Sequence, residues 1–524
     1  MTQHCHVLAA ILCLYFTGTI AMAQVPTTMQ VDQPTSPNAD VPSAAKERLD
    51  RLRALSIEHA ASVDITYEPA PTLTLPDGKV LEKLPVRTAI KLLLKPAERS
   101  NIRVEIWLPE PEKWNGLFLG LGNGGAAGGI NVGSLAGATN AGYAVATTDM
   151  GTAPNDRSGV GNVEVWKDFG YRATHLMTVA AKQCVTAFYG RPPEFSYFTG
   201  GSTGGQQGMQ AAQRYPEDYD GIVSHISAHA RTPLHAYFLW NSQILSRCPF
   251  TEAQWASVIA AGNETLASRE IPQIAGKFVS DPRATPDEIE AVINLALKKD
   301  ATLTPAHAEA MRKLFAGPTH AVTGERIFDG VPLGASIHDA SSHLYLFAWA
   351  FDDKKKTIDI NFADDIDAYT AALGPYLNAE NPDLDAFRAR GGKLLLTVGT
   401  ADACVPFHVS IDYYERVVSR VGRLEDVLPF FHLYVIPGLG HSRSPGLTNT
   451  PDMLKAVRDW REKGVTPTSL LCRRMVDGKV ELEMPVYPYP LKTGWEESTK
   501  SFKPVAGERH GVQRIADRFL PPAQ

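Results

Sequence analysis

The sequence predicts an α/β protein: a mainly parallel sheet covered by helices on both faces, interrupted by a large, mostly helical insertion. Three observations lead to that class. Short β-branched or apolar runs alternate with helical patterns from Ile65 onward, the alternation stops near residue 230, and it resumes near residue 391. Strands that read as continuous apolar runs are those buried on both faces, as in a parallel sheet with helices on each side.

The elements follow in order. Residues 1–23 read as an export signal, because an apolar run from Val7 to Phe16 leads to Ala21-Met22-Ala23, an A-x-A cleavage pattern. The n-region lacks Lys and Arg, and the apolar run is too short to span a bilayer. The mature protein is therefore expected to be secreted or periplasmic, with no membrane attachment. Residues 24–60 form an N-terminal extension whose Pro-, Thr- and Ser-rich first part, 24–45, is expected to be disordered. The first core segment, 61–230, holds strand patterns at 103–109, 116–122, 142–149, 195–201 and 220–227, with helical patterns at 173–190 and 204–216. Residues 231–380 read as a helical insertion, through ATPDEIEAVINLALKKD and TPAHAEAMRKLFAG. The second core segment, 381–495, holds a strand in GGKLLLTVGTAD, a helix in VSIDYYERVVSRVG and a strand in FFHLYVIPGLGH, and a tail follows over 496–524.

Composition narrows the function classes. A chain of 524 residues with 44% hydrophobic and 21% charged content is a soluble globular protein with a sizeable core. A net charge of −6 and the lack of a long basic run give no footprint for nucleic acid or an anionic membrane. Cleavage would leave Cys184, Cys248, Cys404 and Cys472, which form no CxxC pair, so a zinc site is not expected and any bridges stay unassigned.

The stretch Tyr197–Met209, YFTGGSTGGQQGM, carries the chemistry. Gly200 to Gly204 satisfies G-x-S-x-G, a pattern that by itself also arises in ordinary glycine-rich loops. Here it closes a strand and opens a helix, the setting of a nucleophile elbow in which flanking glycines make room for a strained turn that exposes the serine Oγ. Ser202 is thus the candidate nucleophile. A serine hydroxyl needs a base to take its proton and a carboxylate to orient that base. Asp402 follows the strand ending at Val398, and His441 follows the strand ending at Ile436. His408, at a helix start, and His432, inside a strand, compete as bases, while Asp412 and Asp426 compete as acids. Oxyanion donors are expected at the backbone N–H of Thr203 and in the glycine loop GNGGAAGG after the strand at 117–121, at Gly124 with Gly125 beside it. The dinucleotide pattern is met only loosely, by Gly120, Gly122 and Gly125, and no GK[ST] follows, so no nucleotide cofactor is expected.

These stretches resemble the tannase/feruloyl esterase family of serine hydrolases, which also includes mono(2-hydroxyethyl) terephthalate hydrolase. The resemblance runs from about residue 100 to 490, through WNGLFLGLGNGGAAGGI, DFGYRATHLMTVAAK, FYGRPPEFSYFTGGSTGGQQGMQAAQRYPEDYDGIV, LTPAHAEAMRKLFAGP, TGERIFDG, NPDLDAFRARGGKLLLTVGTAD, IDYYERV, VIPGLGH and PVYPYP. It implies an α/β-hydrolase core with a lid inserted after the nucleophile's helix and the next strand. It also implies Ser202 as nucleophile, Asp402 as orienting acid and His441 as base. The chain departs from the family in three places. Gly201 and Ser442 stand where members usually carry a disulfide-bonded cysteine pair. Residues 246–262 lack the Asp-rich calcium loop of the family lid, so no calcium or other metal is expected. Gln206 and Gln207 stand where an Arg often follows the nucleophile motif. The departures leave the choice of ester open.

The expected activity is hydrolysis of a small-molecule carboxylic ester, with an aromatic acyl group that the run HLYLFAWAF (343–351) could stack on. The alternatives are a lactone or non-phenolic ester taken by the same residues, and a catalytically silent binding protein.

Overall fold

The computed structural model describes residues 41–75, 78–341, 343–448 and 452–509. The expected export signal, the stretch through residue 40 and the tail beyond 509 lie outside those residues. The chain from Pro42 onward packs as one unit.

A nine-stranded sheet carries the fold. In chain order its strands are β1 (Ala60–Glu68), β2 (Arg87–Leu94), β3 (Ile102–Pro109), β4 (Leu117–Leu121), β5 (Ala144–Thr148), β6 (Phe195–Gly201), β7 (Gly221–His225), β8 (Lys393–Gly399) and β9 (Phe431–Ile436). Across the sheet the order is β1-β2-β3-β5-β4-β6-β7-β8-β9. The run from β5 to β9 is parallel, and the edge from β1 to β5 is antiparallel. This is the α/β-hydrolase architecture. The antiparallel pair β1 and β2 extends the sheet beyond the strand patterns read from the sequence. Within the segment expected to be partly disordered, Ser43–Arg53 folds as helix α1. Arg51 of α1 donates to the carbonyls of Ala187 and Phe188 at 2.8 and 3.0 Å, satisfying the C-terminal carbonyls of a core helix with a cation.

Parallel strands need crossovers, and these supply the helices. Helix α2 (Val132–Asn140) links β4 to β5, α3 (Ala173–Tyr189) links β5 to β6, and α4 (Thr203–Arg214) links β6 to β7. Gly190 ends α3 in the left-handed conformation, φ 75°, as a glycine at that position allows. Strand alternation divides the core. Leu117, Leu119 and Leu121 join Val145, Tyr197, Val223, Leu135 of α2 and Val457 of a later helix, α12, in one cluster; α12 spans Met453–Lys463. The chain leaves β4 for β5 on one side, then returns past β4 to place β6 on its other side. The loops after β4 and β6 therefore part at the C-terminal edge, which opens a crevice at this switch point.

Between β7 and β8 the chain is helical. Helices α5 (Arg231–Arg247), α6 (Glu252–Leu266), α7 (Pro286–Lys299), α8 (Pro305–Ala316), α9 (Tyr345–Phe351) and α10 (Asp364–Leu377) occupy most of this lid. Thr251 with Gln254 and Thr285 with Glu288 form capping boxes at the starts of α6 and α7, which satisfy orphan N–H groups reciprocally. After β8, α11 spans His408–Val421. Past α12 come two hairpins, β10 (Leu470–Val476) with β11 (Lys479–Val486) and β12 (Lys492–Glu496) with β13 (Ser501–Val505). Among the described residues no helix is long and apolar enough to cross a membrane.

Lid and core touch at backbone distance beside α3. Gly170 lies in the π-helical turn Asp168–Arg172, and a Cβ there would sit 2.1 Å from the Tyr376 carbonyl oxygen of α10. Gly170→Ala should therefore destabilise the protein by about 1–3 kcal/mol through overpacking, whereas the same change in an open helix gains about 1 kcal/mol. Thermal unfolding followed by circular dichroism reads the sign, and a midpoint at or above wild type would refute this contact.

Candidate active site

The turn after β6 holds Ser202 in a conformation that side-chain-bearing residues avoid, φ 56° and ψ −116°. Its backbone is held on both sides. The Ser202 N–H donates to the His225 carbonyl at 2.9 Å, and its own carbonyl accepts from Gln206 and Ala228, each at 3.1 Å. Gly200 is required because an added Cβ would stand 2.6 Å from the Gly204 carbonyl carbon. Gly201, by contrast, has only ordinary contacts at 3.6 Å, with His225.

The loop after β4 docks onto this turn through hydrogen bonds from α4. The Gly204 N–H donates to the Asn123 carbonyl at 2.7 Å, and the Thr203 hydroxyl donates to the Gly125 carbonyl at 2.6 Å. Gln207 Oε1 accepts from the Asn123 N–H at 2.8 Å. The Asn123 side chain donates to the Thr148 carbonyl at 2.7 Å and so ties the loop to the end of β5. Among the described residues the N–H groups of Thr203 and Gly124 have no acceptor. Thr203 is the first residue of α4, where orphan N–H groups and the helix dipole favour negative charge. A Cβ on Gly124 would meet nothing within 4 Å, so the residue is open on its Cβ side.

Asp402 and His441 meet at the ends of β8 and β9. The His441 Nδ1 lies 2.9 Å from Asp402 Oδ2. Asp402 Oδ1 accepts from the N–H groups of Cys404 and Val405 at 2.8 and 2.7 Å, so both carboxylate oxygens are bonded in a fully buried site. The loop bearing His441 folds back over β8. The Thr400 hydroxyl accepts from Gly438 N–H at 2.7 Å, and the Ala401 N–H donates to the Leu439 carbonyl at 3.0 Å. A Cβ on Gly399 would stand 2.1 Å from that same carbonyl oxygen. Burial alone would lower the His441 imidazole. The hydrogen bond and charge of Asp402 outweigh it, with the Cys404 thiol adding, and the ring is held above its ordinary value. The Ser202 hydroxyl makes no hydrogen bond to His441 or to any other described residue.

The rival acids and bases are engaged elsewhere. His408 starts α11 with its ring against Phe407, and His432 is buried in β9 against Trp460. Asp412 pairs with Arg416 at 3.2 Å, and Asp426 is 4.0 Å from Arg423. The aromatic run at 343–351 is largely engaged by rings elsewhere in the protein. Phe347 stacks on Tyr369 with centroids 4.4 Å apart, and Trp349 meets Phe169 edge-on at 5.4 Å.

Several residues that no motif marked complete the surroundings. Burial lowers His225 to about 4, helped by the like charge of His441. His343 of the lid is lowered by burial, Arg231 and His441. Ser442 bonds Asp339 of the lid through both its hydroxyl and its N–H, the latter at 3.2 Å. Arg231 reaches Gln206 and Thr203. The signals of His225, Arg231, Asp339 and His343 were spread over distant segments, whereas Thr203 and Gln206 stand in or beside the G-x-S-x-G motif and Ser442 follows the base candidate. Cys184, Cys248, Cys404 and Cys472 are all free. Among the described residues no group of three or more His, Cys, Asp or Glu comes together as a metal site.

Known proteins resemble this chain over most of its length. The family model for tannase and feruloyl esterase matches residues 88–349 and 349–505. An esterase of Xanthomonas campestris pv. campestris, itself called uncharacterised, is 29% identical over 512 residues, covering 85% of this chain and 88% of its own. Feruloyl esterase B of Aspergillus niger is 29% identical over 441 residues, 76% of this chain and 82% of its own. The structure is similar to that of feruloyl esterase B from Aspergillus oryzae, with a TM-score of 0.76, 24% identity, and coverage of 88% of this chain and 100% of the other. It is also similar to the tannin acyl hydrolase of Aspergillus niger, with a TM-score of 0.70, 20% identity, and coverage of 91% and 97%.

Since Asp402 raises the His441 ring, Asp402→Asn should lower the imidazole pKa. The ring protons of His441, followed by NMR across pH, report it; a titration unchanged from wild type would show that Asp402 does not govern the ring.

Proposed function

Because the chain belongs to the tannase and feruloyl esterase family and is a carboxylic-ester hydrolase, we propose that it works through Ser202, His441 and Asp402 and an acyl-enzyme on Ser202. The observation that carries this reading is the Asp402–His441 pair, 2.9 Å apart, at the same sheet edge as the strained Ser202 turn. In the first step His441 Nε2 takes the hydroxyl proton as Ser202 Oγ attacks the ester carbonyl. The carbonyl oxygen gains negative charge and is received by the N–H groups of Thr203 and Gly124. As the tetrahedral intermediate collapses, the C–O bond to the alcohol breaks and His441 returns the proton to the leaving oxygen. Water, deprotonated by the same imidazole, then attacks the acyl-enzyme, and the acid leaves with Ser202 restored. Asp402 holds the ring with Nδ1 protonated, leaving Nε2 as the base, and stabilises the imidazolium while it exists.

The acyl group is proposed to be aromatic. Support comes from the relatives, whose names are those of feruloyl esterases and a tannin acyl hydrolase. The rings at 343–351 are mostly engaged with protein partners, so they are not offered as the acyl platform. The export pattern at residues 1–23 supports a secreted or periplasmic location.

Ser202→Ala is expected to lower kcat by about 10⁴-fold or more and to abolish labelling by a fluorophosphonate; full ester hydrolysis by this variant would sink the mechanism. Because the base must be neutral and its pKa is raised, kcat/KM should fall as the pH drops through that raised value. The acid limb should move to lower pH in Asp402→Asn, alongside a loss in kcat of about 10³–10⁴. A panel of feruloyl, galloyl, terephthaloyl and aliphatic esters tests the acyl class, and a preference for aliphatic esters would overturn that part.

A further inference from the structure

Arg231 is a cation in a place that ought to exclude one. It is 3% exposed, and it is the first residue of α5, where the helix dipole opposes positive charge. Its hydrogen-bond partners are neutral. Nε donates to Gln206 Oε1 at 2.7 Å, Nη2 donates to the same oxygen, and Nη2 also donates to Thr203 Oγ1 at 2.8 Å. The guanidinium lies 5.3 Å from the Phe169 ring centroid. Burial lowers its pKa, and the groups that oppose this are Tyr345, Tyr369 and Cys404, none of them a carboxylate. Among the described residues no acid forms an ion pair with it. A guanidinium stays charged at any working pH, and a buried charge without a counter-charge is strongly disfavoured.

The partners of Arg231 tell what the charge is for. A guanidinium only donates, so Thr203 Oγ1 must accept from it and direct its single proton onward to the Gly125 carbonyl, 2.6 Å away. The bond from Gly204 N–H to the Asn123 carbonyl holds the loop on the other side of Gly124. Gln206, the second partner, is pinned through its Nε2 to the Leu377 carbonyl at 2.7 Å. The chain Arg231–Thr203–Gly125 thus runs from a buried charge to both segments whose amides lack acceptors.

We propose that Arg231 is a positioning residue of the ester-hydrolysis reaction. Through Thr203 it fixes the amides of Thr203 and Gly124, and its charge is balanced only when negative charge forms on the ester oxygen beside them. This rests on the oxyanion reading above. An interaction stronger in the transition state than in the ground state acts on kcat and leaves KM alone.

The test uses the full chain and one ester. Arg231→Gln keeps a donor without the charge, and Arg231→Lys keeps the charge without the fork that spans Gln206 and Thr203. Arg231→Gln should lower kcat by about 10–100-fold with KM within about threefold. Affinity for a boronic acid, which adds to Ser202 as an anionic tetrahedral adduct, should fall by the same factor as kcat/KM. Thr203→Val should lower kcat as well, and the double variant Arg231→Gln/Thr203→Val should be no worse than the worse single, as expected of residues acting through one another. If Arg231→Gln does not fold by circular dichroism, Arg231→Lys decides, with kcat lowered and KM unchanged. Wild-type kcat and boronate affinity in the Arg231 variants, with Ser202→Ala inactive, would overturn the inference and leave the hydrolase reading standing. A change in KM alone would overturn it too, because the charge would then serve substrate binding, and additive losses would remove the route through Thr203. Activity in Ser202→Ala would instead remove the underlying mechanism.

Discussion

Backbone touching backbone at three glycines is the constraint on which the rest of the site depends. A Cβ on Gly122 would lie 2.6 Å from the Cα of Gly204, and one on Gly200 would lie 2.7 Å from that same atom. The end of β4, the end of β6 and the start of α4 therefore meet without side chains between them. That contact brings the loop at 123–125 onto the first turn of α4 and leaves the chain only a sharp bend at Ser202. A positive φ at a serine costs about 1–3 kcal/mol. Hydrogen bonds at 2.9–3.1 Å to both of its peptide groups offset that strain.

The acid and base depend on a second close approach, at β8 and β9. Parallel pairing puts Gly399 opposite Ile436, so the two following loops leave the sheet side by side. The loop at 437–441 must double back to bring an imidazole to Asp402, and the tight contact of Leu439 with Gly399 turns it. Burial acts differently on the histidines here. His225 is lowered to about 4 by burial, with His441 adding, and so is neutral beside Ser202. His441, also largely buried, is raised because Asp402 answers its charge. One acid beside one ring decides which histidine can hold a proton.

The lid joins this machinery through α4. Gln206, Gln210 and Gln213 lie on one helical face, and their amides donate to the carbonyls of Leu377, Asn378 and Ala379, where the lid chain turns back toward the core. The helix that begins at the nucleophile candidate therefore also anchors the end of the lid. Gln206 further accepts from Arg231 at the lid's other end, so one helix holds both ends of the lid. On the base loop, Ser442 bonds Asp339 of the lid.

Much of this was legible in order along the chain. Apolar runs of 5–7 residues at β4, β6 and β8, the glycines around Ser202, and the Pro/Gly loop before His441 are local signals, and local signals survive in a linear text. The strand signal of β1 is weak because it lies at the half-exposed edge of the sheet and mixes polar and apolar residues, whereas β2, buried beside it, carries the apolar run AIKLLL that the strand patterns above did not include. Helix α1 hid in a charged stretch because its apolar stripe is only Ala45, Leu49 and Leu52, and its Arg51 contacts lie at the end of α3, far along the chain.

What the sequence by itself determined was the fold class and the identities of Ser202, Asp402 and His441 as candidates, since strand, turn and order are encoded within a few residues of each. Tertiary structure alone decided the neighbours: Arg231 on Thr203, Asp339 on Ser442, Cys404 and His343 beside His441. Those pairings join residues from 28 to 103 positions apart. Their energies come from burial and from charges left without water, which no stretch of the chain carries until it is folded.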